Sequence, residues 1–215
     1  MEYRGINTAT ATQEVARCLK QQGIQIIGRY YATINTWKRL RKDEALQLGS
    51  WDLGILSIWQ ESANHKDYFT YSRGKQDGHA AFTVGKQLGQ PPDTPIYFAV
   101  DYDATLPHRS SIIAYFRGVE ESLAHQDQCS GGFRYSLGVY GSTWVLNWCR
   151  AWGKVSHFMQ AYPRGWSGGE NARPWPSYSA RQVSSNHSLC GILVDDLVVR
   201  PTAGYWIRHI AHPRE

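Results

Sequence analysis

The sequence predicts an α/β protein: a compact (β/α)8 TIM-like barrel with at least one degenerate crossover helix. Strand-like runs alternate with helical patterns along all 215 residues, the mark of a parallel sheet with helical crossovers. Runs such as Ile55–Ile58 and Ile192–Val194 are continuously apolar, as strands covered on both faces are. Eight such runs favour a closed barrel over an open doubly wound sheet, although the chain is at the short end for that barrel. No repeat, low-complexity tract or linker divides the chain, and 42% hydrophobic residues suffice for a sizeable core, so residues 1–215 read as a single domain.

The first run, Tyr3–Asn7, leads into a helix over Thr12–Gln22, with Val15, Ala16 and Leu19 on one face and Gly23 as its C-cap. Ile24–Ala32 and Leu53–Gln60 are the second and third strands, separated by a short helix, Lys42–Leu48, that stops at Gly49. A helix over Gly74–Leu88 ends at Gly89, ahead of Pro91 and Pro92. The fourth strand, Pro95–Tyr102, precedes the longest helix, Pro107–His125, whose buried stripe is Ile112, Ile113, Tyr115, Phe116 and Val119. Tyr135–Tyr140 is the fifth strand, and Ser142 N-caps a helix reaching Trp152. Val155–Ala161, Tyr178–Val183 and Gly191–Val199 complete the set. From Tyr162 to Pro176, Gly165, Gly168, Gly169, Pro174 and Pro176 predict a loop where the sixth crossover helix would stand.

A net charge of +5 and a pI near 9.0 favour an anionic partner. The basic residues are dispersed apart from Lys38-Arg39-Leu40-Arg41-Lys42, which reads as a solvated helix start. Cys18, Cys129, Cys149 and Cys190 lack the spacing of a zinc or redox motif; Cys18 and Cys190 read as small buried residues, and one disulfide stays open. The eight histidines, from His65 to His212, show no ligand spacing, so no metal and no cofactor is expected. No segment is long and apolar enough to span a membrane, and no nucleotide or G-x-S-x-G motif occurs. Nine Trp and thirteen Tyr are the compositional anomaly, and such rings stack on sugar faces as readily as they fill cores.

Chemistry in such a barrel collects at the C-terminal ends of the strands. There stand Asn7, Arg29-Tyr30-Tyr31, Trp59-Gln60-Glu61, Asp101-Tyr102-Asp103, Tyr140-Gly141, Gln160-Ala161-Tyr162 and Gln182. On an extended strand Asp101 and Asp103 share a face with Cα atoms roughly 6.6 Å apart, close enough for one charge to raise the other's pKa. Two readings are open for that pair: a general acid with its ionised partner, or carboxylates that cap the next helix or sit in water. Asp195 and Asp196 stand inside the last apolar run, so at least one faces an interior and needs a partner; Arg29 is a candidate for it or for Asp101. A purely structural ion pair is the competing reading.

These pieces, taken in order, resemble a glycoside-hydrolase-like barrel family, long catalogued as a domain of unknown function and related to family 25 lysozymes. The resemblance rests on Gly5-Ile6-Asn7, Ile27-Gly28-Arg29-Tyr30-Tyr31, Glu44-Ala45, the Ile96–Asp103 stretch, Leu137-Gly138-Val139-Tyr140-Gly141-Ser142 and Val194-Asp195. It implies a peptidoglycan-type β-1,4-linked N-acetylated glycan as substrate. Asp103 would be the general acid, standing where the lysozymes carry a glutamate; Asp101 would tune it, and Asp195 would be a further electrostatic or water-orienting group. Asn7 departs from the family pattern, which has an aspartate there; an amide keeps the shape but carries no charge.

The expected substrate-binding set is Asn7, Arg29, Tyr31, Trp59, Glu61, Tyr102, Tyr140, Gln160, Tyr162, Gln182 and Asp196. The expected partner is bacterial cell-wall glycan, met by a monomer, with no nucleic acid. Two alternatives compete with hydrolysis: a catalytically impaired glycan-binding module that stacks sugars on Tyr31, Trp59, Tyr102, Tyr140 and Tyr162, and a polyanion-binding barrel. Met1–Ile6 shows no signal-peptide pattern, which leaves the compartment open.

Overall fold

Residues in a barrel wall point alternately inward and outward, so the position of each strand end decides which side chain reaches the lumen. The computed structural model describes residues 1–34, 36–163, 165–167 and 173–209. Parallel neighbours run in order through β1 (Tyr3–Asn7), β2 (Ile26–Tyr31), β3 (Gly54–Trp59), β4 (Pro95–Ala99), β5 (Ser136–Gly141), β6 (His157–Gln160) and β7 (Ala180–Gln182). The wall closes through β9 (Ile192–Val199), which pairs with both β7 and β1. Both pairings of β9 are antiparallel, a departure from the all-parallel wall that strand–helix alternation predicts. Its physical reason is the hairpin that feeds it: β8 (His187–Leu189), which the sequence pattern did not announce, turns tightly at Cys190-Gly191 and sends the chain back as β9. The N-terminal half of β9 therefore lies at the end of the barrel where the other strands have their C-termini.

Helices α1 (Ala16–Gln21), α2 (Lys42–Ser50), α3 (Tyr71–Leu88), α4 (Arg109–Cys129) and α5 (Thr143–Trp152) pack around this wall. α1 is shorter than the sequence predicts because Gln13–Val15 form a 3-10 turn first. α3 starts earlier, at a Thr70 N-cap whose hydroxyl accepts from the Arg73 N–H, and Gly89 ends it with φ +76°. The Ser142 N-cap of α5 accepts from the Val145 N–H. α3 and α4 touch backbone to backbone: a Cβ at Gly74 would lie 2.0 Å from the Tyr115 carbonyl oxygen, and one at Gly118 would lie 2.2 Å from that of Tyr71. No described helix follows β6, as expected of the degenerate crossover; Gly168 and Gly169 of that loop, like His212, lie outside the described residues.

The far end of the barrel is closed by residues 201–206, where Trp206 pairs antiparallel with Ile55 and the Tyr97 hydroxyl donates to the Ala203 carbonyl. Cys18 and Cys190, read from the sequence as small buried residues, are joined in a disulfide that ties α1 to the β8–β9 turn across 172 residues. Neither cysteine is fully buried, and no packing pattern announces the bond. Replacing both with serine removes a long closed loop from the restraints on the unfolded chain; the expected cost is about 2–4 kcal/mol, read as a lower urea midpoint than that of the oxidised protein.

Candidate active site

The lumen-facing set is fixed by packing. A Cβ at Gly28 would meet Asn7 Cβ at 2.8 Å and Ile58 Cδ1 at 3.1 Å, so Asn7, Gly28 and Ile58 point the same way, and two residues further on so do Tyr30 and Gln60. Asn7 donates through Nδ2 to the Tyr30 hydroxyl at 3.0 Å and accepts from Gln182 Nε2 at 3.3 Å. Gln182 is the hub of this end. Its Nε2 also donates to Asp195 Oδ2 at 3.0 Å, and its Oε1 accepts from the Tyr140 hydroxyl and the Tyr162 N–H, each at 3.0 Å. Asp195 is the direct cross-strand neighbour of Asn7 and also accepts from the Asn186 N–H at 2.9 Å.

Asp101 approaches from the opposite wall. Val100 still donates to the Tyr140 carbonyl and Asp101 to that of Ala63, so the extended chain continues past β4 and the Asp101 side chain reaches Gln60 Nε2 at 2.7 Å. Gln60 Oε1 in turn accepts from Lys38 Nζ at 3.0 Å, and that ammonium lies 4.9 Å from the centre of the Tyr30 ring. Burial, the largest cause, raises the Asp101 pKa against the Gln60 hydrogen bond and the Lys38 charge. Burial also raises that of Asp195, opposed by the Asn186 N–H and reinforced by the charge of Asp101. Tyr30 is pushed up to about 12 and Tyr140 well above its usual value, each chiefly by burial and then by the charges of Asp101 and Asp195. Four side chains thus occupy one field.

Several expected site residues stand elsewhere, most of them by a single step of alternation. Tyr31 and Trp59 point out of the lumen into the layer under the helices: Tyr31 donates to Gln90 Oε1 at 2.7 Å, and Trp59 packs on Phe98. Arg29, 0% exposed, partners neither Asp101 nor Asp195. Its Nε lies 2.7 Å from Glu44 Oε1, and its Nη1 donates to the Thr8 and Lys38 carbonyls. Gln160 bonds the main chain of Arg173 and Trp175, shaping the loop after β6. Asp196 faces the hairpin, where it accepts from the Ser184 hydroxyl. Tyr102 stacks on Phe69, and Glu61 accepts from the Thr33 side chain and main chain and from the Ile34 N–H. Tyr162 contributes its main chain to Gln182.

Asp103 does not share a strand face with Asp101, because a tight turn closed by Ala104 N–H on the Tyr102 carbonyl intervenes. It accepts instead from the Ser167 N–H and hydroxyl, each at 2.9 Å. Lys38, taken from the sequence as solvated, is 7% exposed and part of the site. It was missed, and Tyr30 and Gln60, which the sequence places at strand ends, were left out of the expected binding set. Alternation counted from Asn7 and Gly28 would have found the latter two, whereas Lys38 gave no signal. Among the described residues no cluster of His, Cys, Asp and Glu could hold a metal ion.

A closed α/β barrel whose strand-end mouth gathers carboxylates among tyrosines and amides defines a glycoside-hydrolase-like domain. The chain belongs to the Rv2525c-like, glycoside hydrolase-like domain family, whose model matches residues 17–195. The Bacillus subtilis (strain 168) protein FadG is 33% identical over 137 residues, 60% of this chain but 22% of FadG, so the chain spans about a fifth of that relative. The Mycobacterium tuberculosis Tat-secreted protein Rv2525c, solved with L-tartrate, superposes with TM-score 0.76 at 22% identity, covering 95% of this chain and 98% of that one. The modular autolysin LytC of Streptococcus pneumoniae, solved with a synthetic peptidoglycan ligand, shares the fold at TM-score 0.59 and 13% identity over 92% of this chain and 46% of LytC.

Two outcomes test this geometry. Asp101→Asn removes a charge that the fold disfavours. A carboxyl whose folded pKa is raised weakens the fold above that pKa and ceases to do so as pH falls through it. The variant is therefore expected to melt a few degrees higher at pH 7, on the order of 1 kcal/mol, with the gain vanishing in acid, and NMR titration is expected to show the Asp195 pKa shifted down. Arg29→Met strands Glu44 in the interior and is expected to lose about 3–5 kcal/mol in urea unfolding, most of which Arg29→Met/Glu44→Leu recovers.

Proposed function

We propose that this domain hydrolyses β-1,4-linked N-acetylated glycan of the peptidoglycan type, with Asp101 as proton donor and Asp195 as the opposing carboxylate. The observation that carries the reading is that Asp101 and Asp195 come from different strands yet converge on the same network: Asp101 bonds Gln60, Asp195 bonds Gln182, and the charges of both bear on Tyr30 and Tyr140. Glycoside hydrolysis needs such a pair. A carboxyl whose pKa burial raises gives its proton, in its acid form, to the glycosidic oxygen as the C–O bond breaks, and a carboxylate opposite stabilises the positive charge on the sugar. Water then supplies the hydroxyl of the new reducing end, and the proton it gives up restores the acid form of Asp101. Asp101 has Gln60 on one oxygen and, among the described residues, no partner on the other, which leaves Oδ1 for a leaving group.

The resemblance gives the donor role to Asp103, but both of its oxygens are engaged by Ser167 and would have to be released first. We assign it instead to the rim, where it holds the loop after β6. Asn7, Tyr30, Tyr140 and Gln182 would orient the sugar, and Trp37, 72% exposed beside Lys38, offers a stacking face at the lip. The pure binding-module reading loses support because Tyr31 and Trp59, two of its stacking residues, are buried in the wall. The disulfide accords with an oxidising setting such as the cell wall.

Mass spectrometry of purified peptidoglycan after incubation is expected to reveal new reducing ends. Asp101→Asn is expected to slow their release about 10²–10⁴-fold, the usual worth of a general acid, and Asp103→Asn much less. Activity is expected to fall as pH rises through the raised Asp101 pKa, because the acid form is then lost. Equal losses in the two variants would return the donor role to Asp103, and full activity in Asp101→Asn would end the assignment.

A further inference from the structure

A second recess lies on the outside of the barrel wall. A groove of about 550 Å³ runs between α4 and α5, walled by Arg109, Ile113 and Arg117 on one side and Trp148 and Trp152 on the other. α5 follows directly on the mouth end of β5 and α4 begins after the turn and 3-10 segment beyond β4, so the groove between them lies on the outside of the barrel with Arg109, the first residue of α4, at its mouth-side end. Trp144, Trp148 and Trp152 recur every four residues along α5, roughly 6 Å of rise apart. The three indoles are only partly buried; Trp144 lines a separate recess of about 310 Å³, and its ring lies 6.1 Å from that of Trp148. Among the described residues no helix follows β6, and none covers that flank of α5.

Charge selects the occupant. Arg109 and Arg117 are exposed, no carboxylate lines the groove, and among the described residues neither guanidinium has an ion-pair partner. Indole faces pack on the C–H faces of sugar rings, and guanidinium groups take carboxylates bidentately. We infer that this strip is an accessory binding site for an acidic glycan strand, holding the chain against polymer whose cut segment lies in the mouth. The choice of peptidoglycan as that polymer rests on the proposed function; the presence of a carboxylate-bearing saccharide site does not.

The test is co-sedimentation with insoluble peptidoglycan sacculi, carried out in the Asp101→Asn background so that turnover cannot erode the binding. Arg109→Glu/Arg117→Glu is expected to weaken sedimentation about tenfold, while Arg17→Glu/Lys42→Glu, an equal charge change at exposed positions elsewhere, leaves it unchanged. Trp148→Ala is expected to weaken it as well; if that variant loses its near-ultraviolet circular dichroism, the arginine pair decides alone. With Asp101 intact, the arginine variant is expected to keep cleaving soluble fragments too short to reach the groove and to lose activity on sacculi. Unchanged sedimentation of the arginine variant, or an equal loss in the control pair, overturns the inference. So does a dimer that the arginine variant dissociates without any change in sedimentation. Groove-dependent sedimentation with no reducing ends released by the unaltered protein would overturn the proposed hydrolysis and leave the strip standing.

Discussion

The mouth of the barrel is shaped by an ion pair that never touches it. Arg29 and Glu44 are both fully buried, and the pair spans from β2 to α2 with two contacts, Nε to Oε1 at 2.7 Å and Nη2 to Oε2 at 3.1 Å. A buried pair is weak as a source of stability, since desolvation offsets most of the attraction. What it supplies here is position. Glu44 Oε1 also accepts from the Thr12 N–H and hydroxyl, fixing the loop after β1, and Arg29 Nη1 holds the Thr8 and Lys38 carbonyls. The Lys38 carbonyl belongs to the residue whose ammonium reaches Gln60 and, through it, Asp101. One outward-facing pair therefore sets the loops from which the first two strand ends present Asn7, Tyr30 and Lys38.

The charge balance inside the mouth follows from what stands opposite what. Asn7 and Asp195 are directly paired across β1 and β9. A carboxylate at position 7 would face Asp195 and compete with it for the Gln182 amide; the neutral amide of Asn7 donates to Tyr30 and accepts from Gln182 at once. Among the described residues the mouth thus holds two lumen-facing acids and the cation Lys38, whose own pKa burial lowers against the pull of Glu61 and Asp101. This is a smaller charge to keep out of water than three acids would be, and it confines like-charge repulsion to Asp101 and Asp195.

Much of the architecture was legible because it depends on local physics: the eight wall strands, the Ser142 cap, the left-handed Gly89 end of α3 and the absence, among the described residues, of a helix after β6 all have short-range signals. The site was legible only to within one residue. Neighbouring side chains at a strand end lie on opposite faces, so choosing Tyr31 over Tyr30 and Trp59 over Gln60 exchanged the lumen for the helical layer. Size misled for Trp59, whose ring fills the deeper shell, whereas Tyr30 and Tyr31 carry the same ring and only alternation separates them. The aspartate pair in the last strand shows the same logic resolved correctly only by register, which turns Asp195 inward and Asp196 toward Ser184.

Lys38, the disulfide and the antiparallel β9 were illegible for a different reason. Each depends on a contact distant in sequence: Gln60 for the lysine, Cys18 for Cys190, β1 for the returning strand. The reversal of β9 has a functional consequence of its own. In a parallel barrel a residue in mid-strand lies deep in the packed core, whereas β9 enters at the mouth, so Asp195, only its fourth residue, is still near the rim. The hairpin that enforces the reversal also carries Asn186, whose N–H holds Asp195 in place, and the disulfide anchors its turn to α1. Reversing one strand thus converts a position that would be structural into one that can meet a substrate, and the covalent tie keeps it there.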